Sequence, residues 1–341
     1  MKPFIVIGII LCSIILILPT IMVVSFSEGR QTTATTNEAE VADVTTINES
    51  VPTNEIDVLV YRSQKEEIER VPLEEYVVGV VASEMPANFE MEALKAQSLT
   101  ARTYVIKQML QPGEINLPDG AIVTDTVMHQ VYHNNNELKE RWNTDYDWKM
   151  TRIKDAVYST AGKVLTFEGQ PIDAAFFSTS NGYTENSEDY WQNPIPYLRS
   201  VESPWDQESP RYQGEMIIPI REFEQKLSVQ VPSDGTVGEI VERTDGGRVA
   251  EVKVNGTVLK GREVREKLDL DSSDFRWKRQ GNNIVIETKG WGHGVGMSQY
   301  GADGMAKEGK TYADIVSHYY QGVAITELEP YVASLTANNT Q

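Results

Sequence analysis

The chain of 341 residues is nearly devoid of cysteine: its one thiol, Cys12, sits inside an apolar N-terminal run. No internal disulfide and no thiolate metal cluster can be built. Bulky Leu11 stands where lipid modification of Cys12 would want a small residue. Basic residues are scarce too, 31 against 50 acids, and the formal net charge is -19. Nucleic-acid binding needs a basic footprint, so that class is disfavoured, as is broad adhesion to anionic polymers. Histidine occurs at 129, 133, 293 and 318. His129 and His133 have a metal-ligand spacing only on a helix, and Gln130-Val131-Tyr132 between them reads as extended. There is no internal repeat, no P-loop and no G-x-S-x-G elbow, although composition alone leaves a Ser-His-Asp triad open.

One long hydrophobic run is present. Phe4 to Val24 is broken only by Gly8, Ser13, Pro19 and Thr20. About 20 such residues span a bilayer as a helix. Lys2 before the run, and Arg30 accompanied by Glu28 after it, set the N-terminus in the cytoplasm and the bulk outside. A cleaved signal peptide is the rival, but Val23-Val24-Ser25 is a poor cleavage site. The expectation is an anchor over 1–26, a Thr/Glu/Asn/Ala-rich tether over 27–54, one domain over 55–333 and a polar tail over 334–341.

Within the domain the hydrophobic pattern predicts helices at Leu73–Met85, Glu90–Met109 (capped by Asn88), Arg152–Ala161, Ile220–Leu227, Arg262–Leu268, Ser298–Glu308 and Tyr312–Tyr320. Thr311 and Asp314 form a capping-box pattern. Strands are expected at Ile56–Arg62, Lys163–Phe167, Ala174–Ser178 and Ile284–Thr288, with a hairpin around Asp245-Gly246-Gly247. The fold class is α+β: mixed helices and short antiparallel strands forming one large domain with a substrate groove, with an accessory α/β region at about 204–280.

Glu84 stands out. Leu73, Tyr76, Val77, Val80 and Val81 make one apolar stripe, and Glu84 is its next position, just before Pro86 ends the helix. A carboxyl on an apolar face resists ionisation and can give a proton to a leaving oxygen. The stripe alone fits equally a helix-end glutamate that reaches water or pairs with Lys95 or Arg102. On the next helix Lys95, Leu99 and Arg102 share one side and Gln97, Ala101 and Tyr104 an adjacent one. A basic stripe there could bind an anionic sugar substituent, or simply be solvated.

Two loops complete the candidates. In FFSTSNGYTENSEDYW, the hydroxyls, amides and acids of Ser178, Ser180, Tyr183, Thr184, Glu185 and Asn186 suit sugar hydroxyls, and the aromatic rings suit sugar C–H faces; a polar turn fits the same residues. In KGWGHGVGMSQYGA, glycines at 290, 292, 294 and 296 permit tight turns and close ligand approach, displaying Trp291 and His293 ahead of Gln299 and Tyr300.

Taken together, VVGVVASEMPANFEMEALKAQSLTARTY, FFSTSNGYTENSEDYW and GWGHGVGMSQYGA followed by HYYQGV, in that order, resemble the stage II sporulation protein D family. They are similar more loosely to the amidase-enhancer family that shares its domain. The resemblance implies a membrane-anchored lytic transglycosylase that thins the septal wall during engulfment, in the mother-cell membrane facing the forespore. Its implied substrate is peptidoglycan glycan stripped of stem peptides, cut between N-acetylmuramic acid and N-acetylglucosamine to leave 1,6-anhydro ends. Stage II sporulation proteins P (an amidase) and M are the implied partners, and nucleic acid is not. The glutamate of S-E-M-P, Glu84 here, is the implied catalytic acid. Lys95 or Arg102 would meet the lactyl carboxylate that peptide removal exposes, on physical grounds. Some clostridial relatives hold zinc through Cys and His near DTVMHQVY; with no cysteine there, neither metal nor cofactor is expected. Glu185 or Asp189 would be the second carboxylate if the reaction were hydrolysis. A non-catalytic wall-binding activator of a partner amidase is the alternative reading.

Overall fold

The computed structural model describes residues 56–113, 117–118 and 120–338. The predicted anchor and the whole of the predicted tether lie outside those residues, as does the end of the tail.

The described chain opens with an antiparallel hairpin, β1 (Asp57–Arg62) and β2 (Glu67–Pro72). Pro72 then hands the chain to α1 (Leu73–Glu84), whose Leu73, Tyr76, Val77, Val80 and Val81 are all sealed in the main core. Val78 and Gly79 are buried as well, so α1 is a central helix rather than an amphipathic one. Its successor α2 (Met91–Leu110) packs against it, and the buried Ala93, Ala96 and Ala101 are small residues that permit close approach of neighbours. The cap of α2 is Glu90, not Asn88: the Glu90 N–H donates to Asp303 at 2.7 Å.

A two-residue strand β3 (Val123–Thr124) joins β1 in parallel. There follow α3 (Asn135–Trp142), opened by an Asn134/Glu137 capping box, and α4 (Tyr146–Tyr158), which packs on both α1 and α2. β4 (Lys163–Phe167) pairs with β5 (Gln170–Pro171). β6 (Phe176–Phe177) leads through a loop into the single-turn α5 (Ser187–Tyr190).

A second buried cluster follows. β7 (Gln213–Pro219), α6 (Ile220–Leu227), β8 (Glu239–Arg243), β9 (Val249–Val254), β10 (Thr257–Lys260), α7 (Gly261–Leu268), β11 (Phe275–Gln280) and β12 (Asn283–Lys289) build it from two three-stranded antiparallel sheets. Phe223, Val252, Val264, Leu268, Phe275, Ile284 and Ile286 lie at its centre. The chain then rejoins the main core through β13 (Met297–Ser298), parallel to β6, and α8 (Gln299–Lys307). α9 (Tyr312–Tyr319) follows with its Thr311/Asp314 capping box, then β14 (Ala324–Glu327), antiparallel to β4, and α10 (Glu329–Asn338). The architecture is mixed α+β with short, mainly antiparallel sheets.

Candidate active site

Glu84 ends α1 between two cavities that share it. One, of about 540 Å³, is lined by Asn88, Arg141, Trp142, Lys149, Ser178, Arg211, Trp291, Gln299 and Tyr300 among others. The second, of about 690 Å³, has Tyr104, Met128, Gln130, Asp173, Tyr190, Trp191 and Arg262 on its walls. Glu84, Phe176 and His293 line both, so the cavities meet as the halves of one cleft with Glu84 at its waist.

The segment after β3 fixes the carboxyl. Val131 N–H donates to Glu84 Oε1 at 2.7 Å. That donor is delivered by packing on α1: Tyr132 stacks on Tyr76 at 5.3 Å between centroids, and His133 Nδ1 meets Ser83 Oγ at 2.8 Å. Gly79 makes the notch. A Cβ there would fall 2.4 Å from the Tyr132 ring and 2.6 Å from the His133 carbonyl oxygen. Arg62, buried, clamps both ends of the segment, donating to Asp125 at 3.0 Å and to Glu137 at 2.7 Å. On the other side, Gln299 Nε2 donates to the Glu84 carbonyl at 3.1 Å and so ties the end of α1 to the start of α8.

Loss of solvent raises the Glu84 pKa above the usual carboxylate value, and the Val131 N–H partly opposes the rise. With Oε1 occupied by a donor, Oε2 is the oxygen left to carry a proton. The other carboxyl group lining the cleft, Asp173, is engaged by Lys107 Nζ and by Tyr197 Oη.

His293 is neutral at physiological pH. Burial, aided by the charge of Arg265, lowers its pKa to about 4. Its Nδ1 accepts from Val295 N–H at 3.1 Å, which sets the proton on Nε2. The ring packs among Phe177, Tyr190 and Trp191, with centroids 5.5 to 5.7 Å away. It is a wall of the cleft, not an acid or base near neutrality.

Among the residues proposed from the sequence, Glu84, Ser178, Trp291, His293, Gln299 and Tyr300 line the cleft. The others do not. Arg102 is fully buried, gripping Glu74 at 2.9 and 2.7 Å and donating to the Val157 and Lys163 carbonyls. Lys95 pairs with Glu92 at 2.6 Å beside Tyr312, and Gln97 is sealed behind Gln299. The basic stripe is therefore no anion site. Ser180 bonds to Asp206 at 2.8 Å, and Thr184 braces the Arg199–Val201 backbone. Glu185, 2% exposed, is held by Arg248 and Thr244, each at 3.0 Å, and Asn186 bonds to Asp189 and Asp245. Tyr183 projects into a separate cavity beside Arg243 and Asp274. Asp189 lines neither half of the cleft, so neither acid named for hydrolysis is in reach.

The glycine repeat does permit close approach, but to protein. Added Cβ atoms at Gly290, Gly294 and Gly296 would meet the Thr179 oxygen at 2.8 Å, the Arg248 guanidinium at 2.4 Å and the Ala175 oxygen at 2.1 Å, and all three have positive φ. The same loop ends where buried Asp206 accepts from Ser180 and Ser203 and from Ser298, the N-cap of α8. Burial raises the Asp206 pKa against these donors.

The sequence reading also missed Arg141, Trp142, Lys149 and Arg211. The signal for the first two was present: Asn134 followed by Glu137 opens the helix that carries Arg141 and Trp142, whereas Lys149 lies on the next helix. Arg211 follows a turn-rich stretch and no local pattern marks it.

Fold and site together define a cleft-bearing α+β protein with one desolvated acid at the waist of its groove. A family model described as "Stage II sporulation protein" matches residues 61–167, which include α1, Glu84 and the Val131 segment. The chain is 49% identical over 337 residues to the stage II sporulation protein D of Bacillus subtilis (strain 168), covering 97% of this chain and 98% of that one. It is also 49% identical over 347 residues to that of Bacillus amyloliquefaciens, covering 99% of each. The amidase enhancer of Bacillus subtilis (strain 168) is 28% identical over 308 residues, 73% of this chain and 40% of that longer protein. The chain belongs to the stage II sporulation protein D family, a family of sporulation proteins.

Proposed function

We propose that the chain is a lytic transglycosylase acting on peptidoglycan glycan free of stem peptides. One observation carries the reading: a desolvated carboxyl at the junction of two cleft halves, with one oxygen already bonded to Val131 N–H. Glu84 gives its Oε2 proton to the oxygen bridging N-acetylmuramic acid and N-acetylglucosamine. The muramic C6 hydroxyl attacks C1 as that bond breaks and returns its proton to Glu84. The products are a 1,6-anhydro end and a free 4-hydroxyl, with no water consumed. A single acid therefore serves, where hydrolysis by the common route needs a carboxyl pair. Asp173 replaces Glu185 and Asp189 as the candidate for such a second group, and its engagement with Lys107 argues against that duty.

A second reading, an activator of a partner amidase without catalysis of its own, is favoured by the name of the 28% identical relative, an amidase enhancer. Mass spectrometry of peptide-free strands after incubation separates the cases. Anhydro ends support the lyase, reducing ends indicate hydrolysis, and intact strands leave the activator. Glu84→Gln should fold, bind strands and cleave none; continued cleavage by that variant removes Glu84 from the mechanism. The same proposal includes an N-terminal anchor in the engulfing membrane and work beside stage II sporulation proteins P and M. Co-purification from sporulating cells checks the partners.

A further inference from the structure

The two halves of the cleft differ in charge. On the Arg211 side the charged lining residues are Glu84, Arg141, Lys149 and Arg211. On the Trp191 side Arg262 and Asp173 accompany Val127, Met128, Tyr190, Trp191 and Ile195. In a chain of net charge -19, three cations on one half-cleft are a local reversal of sign.

Arg211 carries most of the argument. Its guanidinium lies over the Trp291 ring, 4.3 Å from the centroid. No side-chain hydrogen bond or ion pair engages it among the described residues, and Asp271 acts on it only at longer range. A guanidinium held over an indole face in this way is positioned by the ring while its N–H donors stay free to meet a carboxylate. Arg141 is exposed and makes no side-chain hydrogen bond among the described residues. Lys149 lies over the Trp142 and Trp148 rings, and its one ion pair among the described residues is with Asp145, an exposed partner at 3.1 Å that a ligand carboxylate can displace at small cost.

Building on the transglycosylase reading, we propose that this half-cleft, through Arg211 with support from Arg141, binds the free lactyl carboxylate of muramic acid, so that the cleft itself selects strands whose peptides have been removed. A stem peptide turns that carboxylate into a neutral amide and adds bulk, and both changes remove the ion pair. The N-acetylglucosamine across the scissile bond, which has no lactyl carboxylate, lies toward the aromatic half, where no anion needs a partner.

Binding, not cleavage, tests this, in the Glu84→Gln background. Three probes of equal length are compared: peptide-free glycan, the same glycan with its lactyl carboxylates converted to methylamides, and an N-acetylglucosamine oligomer. The unaltered strand should bind about tenfold more tightly than the methylamide, and the preference should shrink as salt is raised. Arg211→Gln should weaken the unaltered strand about tenfold and leave the other two unchanged. Arg141→Gln should act in the same sense but less, and Arg211→Lys should restore part of the loss. Equal weakening of all three probes by Arg211→Gln would mean general groove packing, and no preference for the carboxylate would overturn the proposal outright. Neither result depends on whether wild-type protein leaves anhydro ends, so the two readings fail separately.

Discussion

Glu84 owes its chemistry to its neighbours rather than to its place in the sequence. Two oily turns of α1 strip it of water, and a single main-chain donor holds one of its oxygens. Because desolvation raises its pKa, the protonated, active form persists above the ordinary carboxylate range and is lost as pH climbs through the raised value. The upper limb of a cleavage-rate profile should therefore lie above the pH expected for a solvent-exposed glutamate; a limb at the ordinary position contradicts the assignment. Arg102 makes the opposite case. Arg102→Met would leave Glu74 buried without its partner and should cost about 3–5 kcal/mol in urea unfolding, with strand affinity unchanged. Both residues were conspicuous in the sequence, but only one is in the cleft. Spacing along a helix shows which residues share a face; it does not show what a distant turn brings against that face. Glu74, 28 positions upstream of Arg102, decided the outcome.

At the scale of elements, α1 and the segment from Asp125 to Glu137 act as one unit. Gly79→Ala should favour the helix by about 1 kcal/mol on propensity alone. The added methyl instead collides with Tyr132 and the His133 carbonyl, lifting Val131 N–H from Glu84. We expect a rate about 10- to 100-fold lower, with the upper pH limb moved higher, since a donor that favoured the carboxylate is lost. A rate loss without that shift would indicate general damage. Helices were the legible part of the sequence: Ile220–Leu227 and the Thr311/Asp314 cap coincide with the predicted ones. β11, with Phe275 and Trp277 alternating with basic residues, carried a period-two signal that was passed over. A strand as short as Met297–Ser298 leaves almost no pattern to read, whereas Phe176–Phe177 falls inside the expected Ala174–Ser178. In the loop after it, hydroxyls that suit a sugar equally suit Asp206 and nearby carbonyls, and from Ser180 onward the protein uses them itself.

Over the whole molecule, the neutral imidazole of His293 couples stability to pH. Its pKa is about 4 when folded, against about 6.5 when exposed. The unfolded chain thus binds the extra proton between those values. The contribution, about 3 kcal/mol at most, is complete above pH 6.5 and falls away as the pH drops toward 4. Denaturant midpoints should decline over that window, and less steeply in His293→Gln; parallel curves for the two proteins would show that another group is responsible.

Arg248 belongs to the second buried cluster by position, yet it fills the hollow left at Gly294 and grips Glu185. The floor of the cleft is thereby nailed down from outside the main core. Excising 213–289 would strand an unneutralised acid in the interior and let the roof of one compartment pull away the base of another. Calorimetry should accordingly find one cooperative melting event, not a piecewise one.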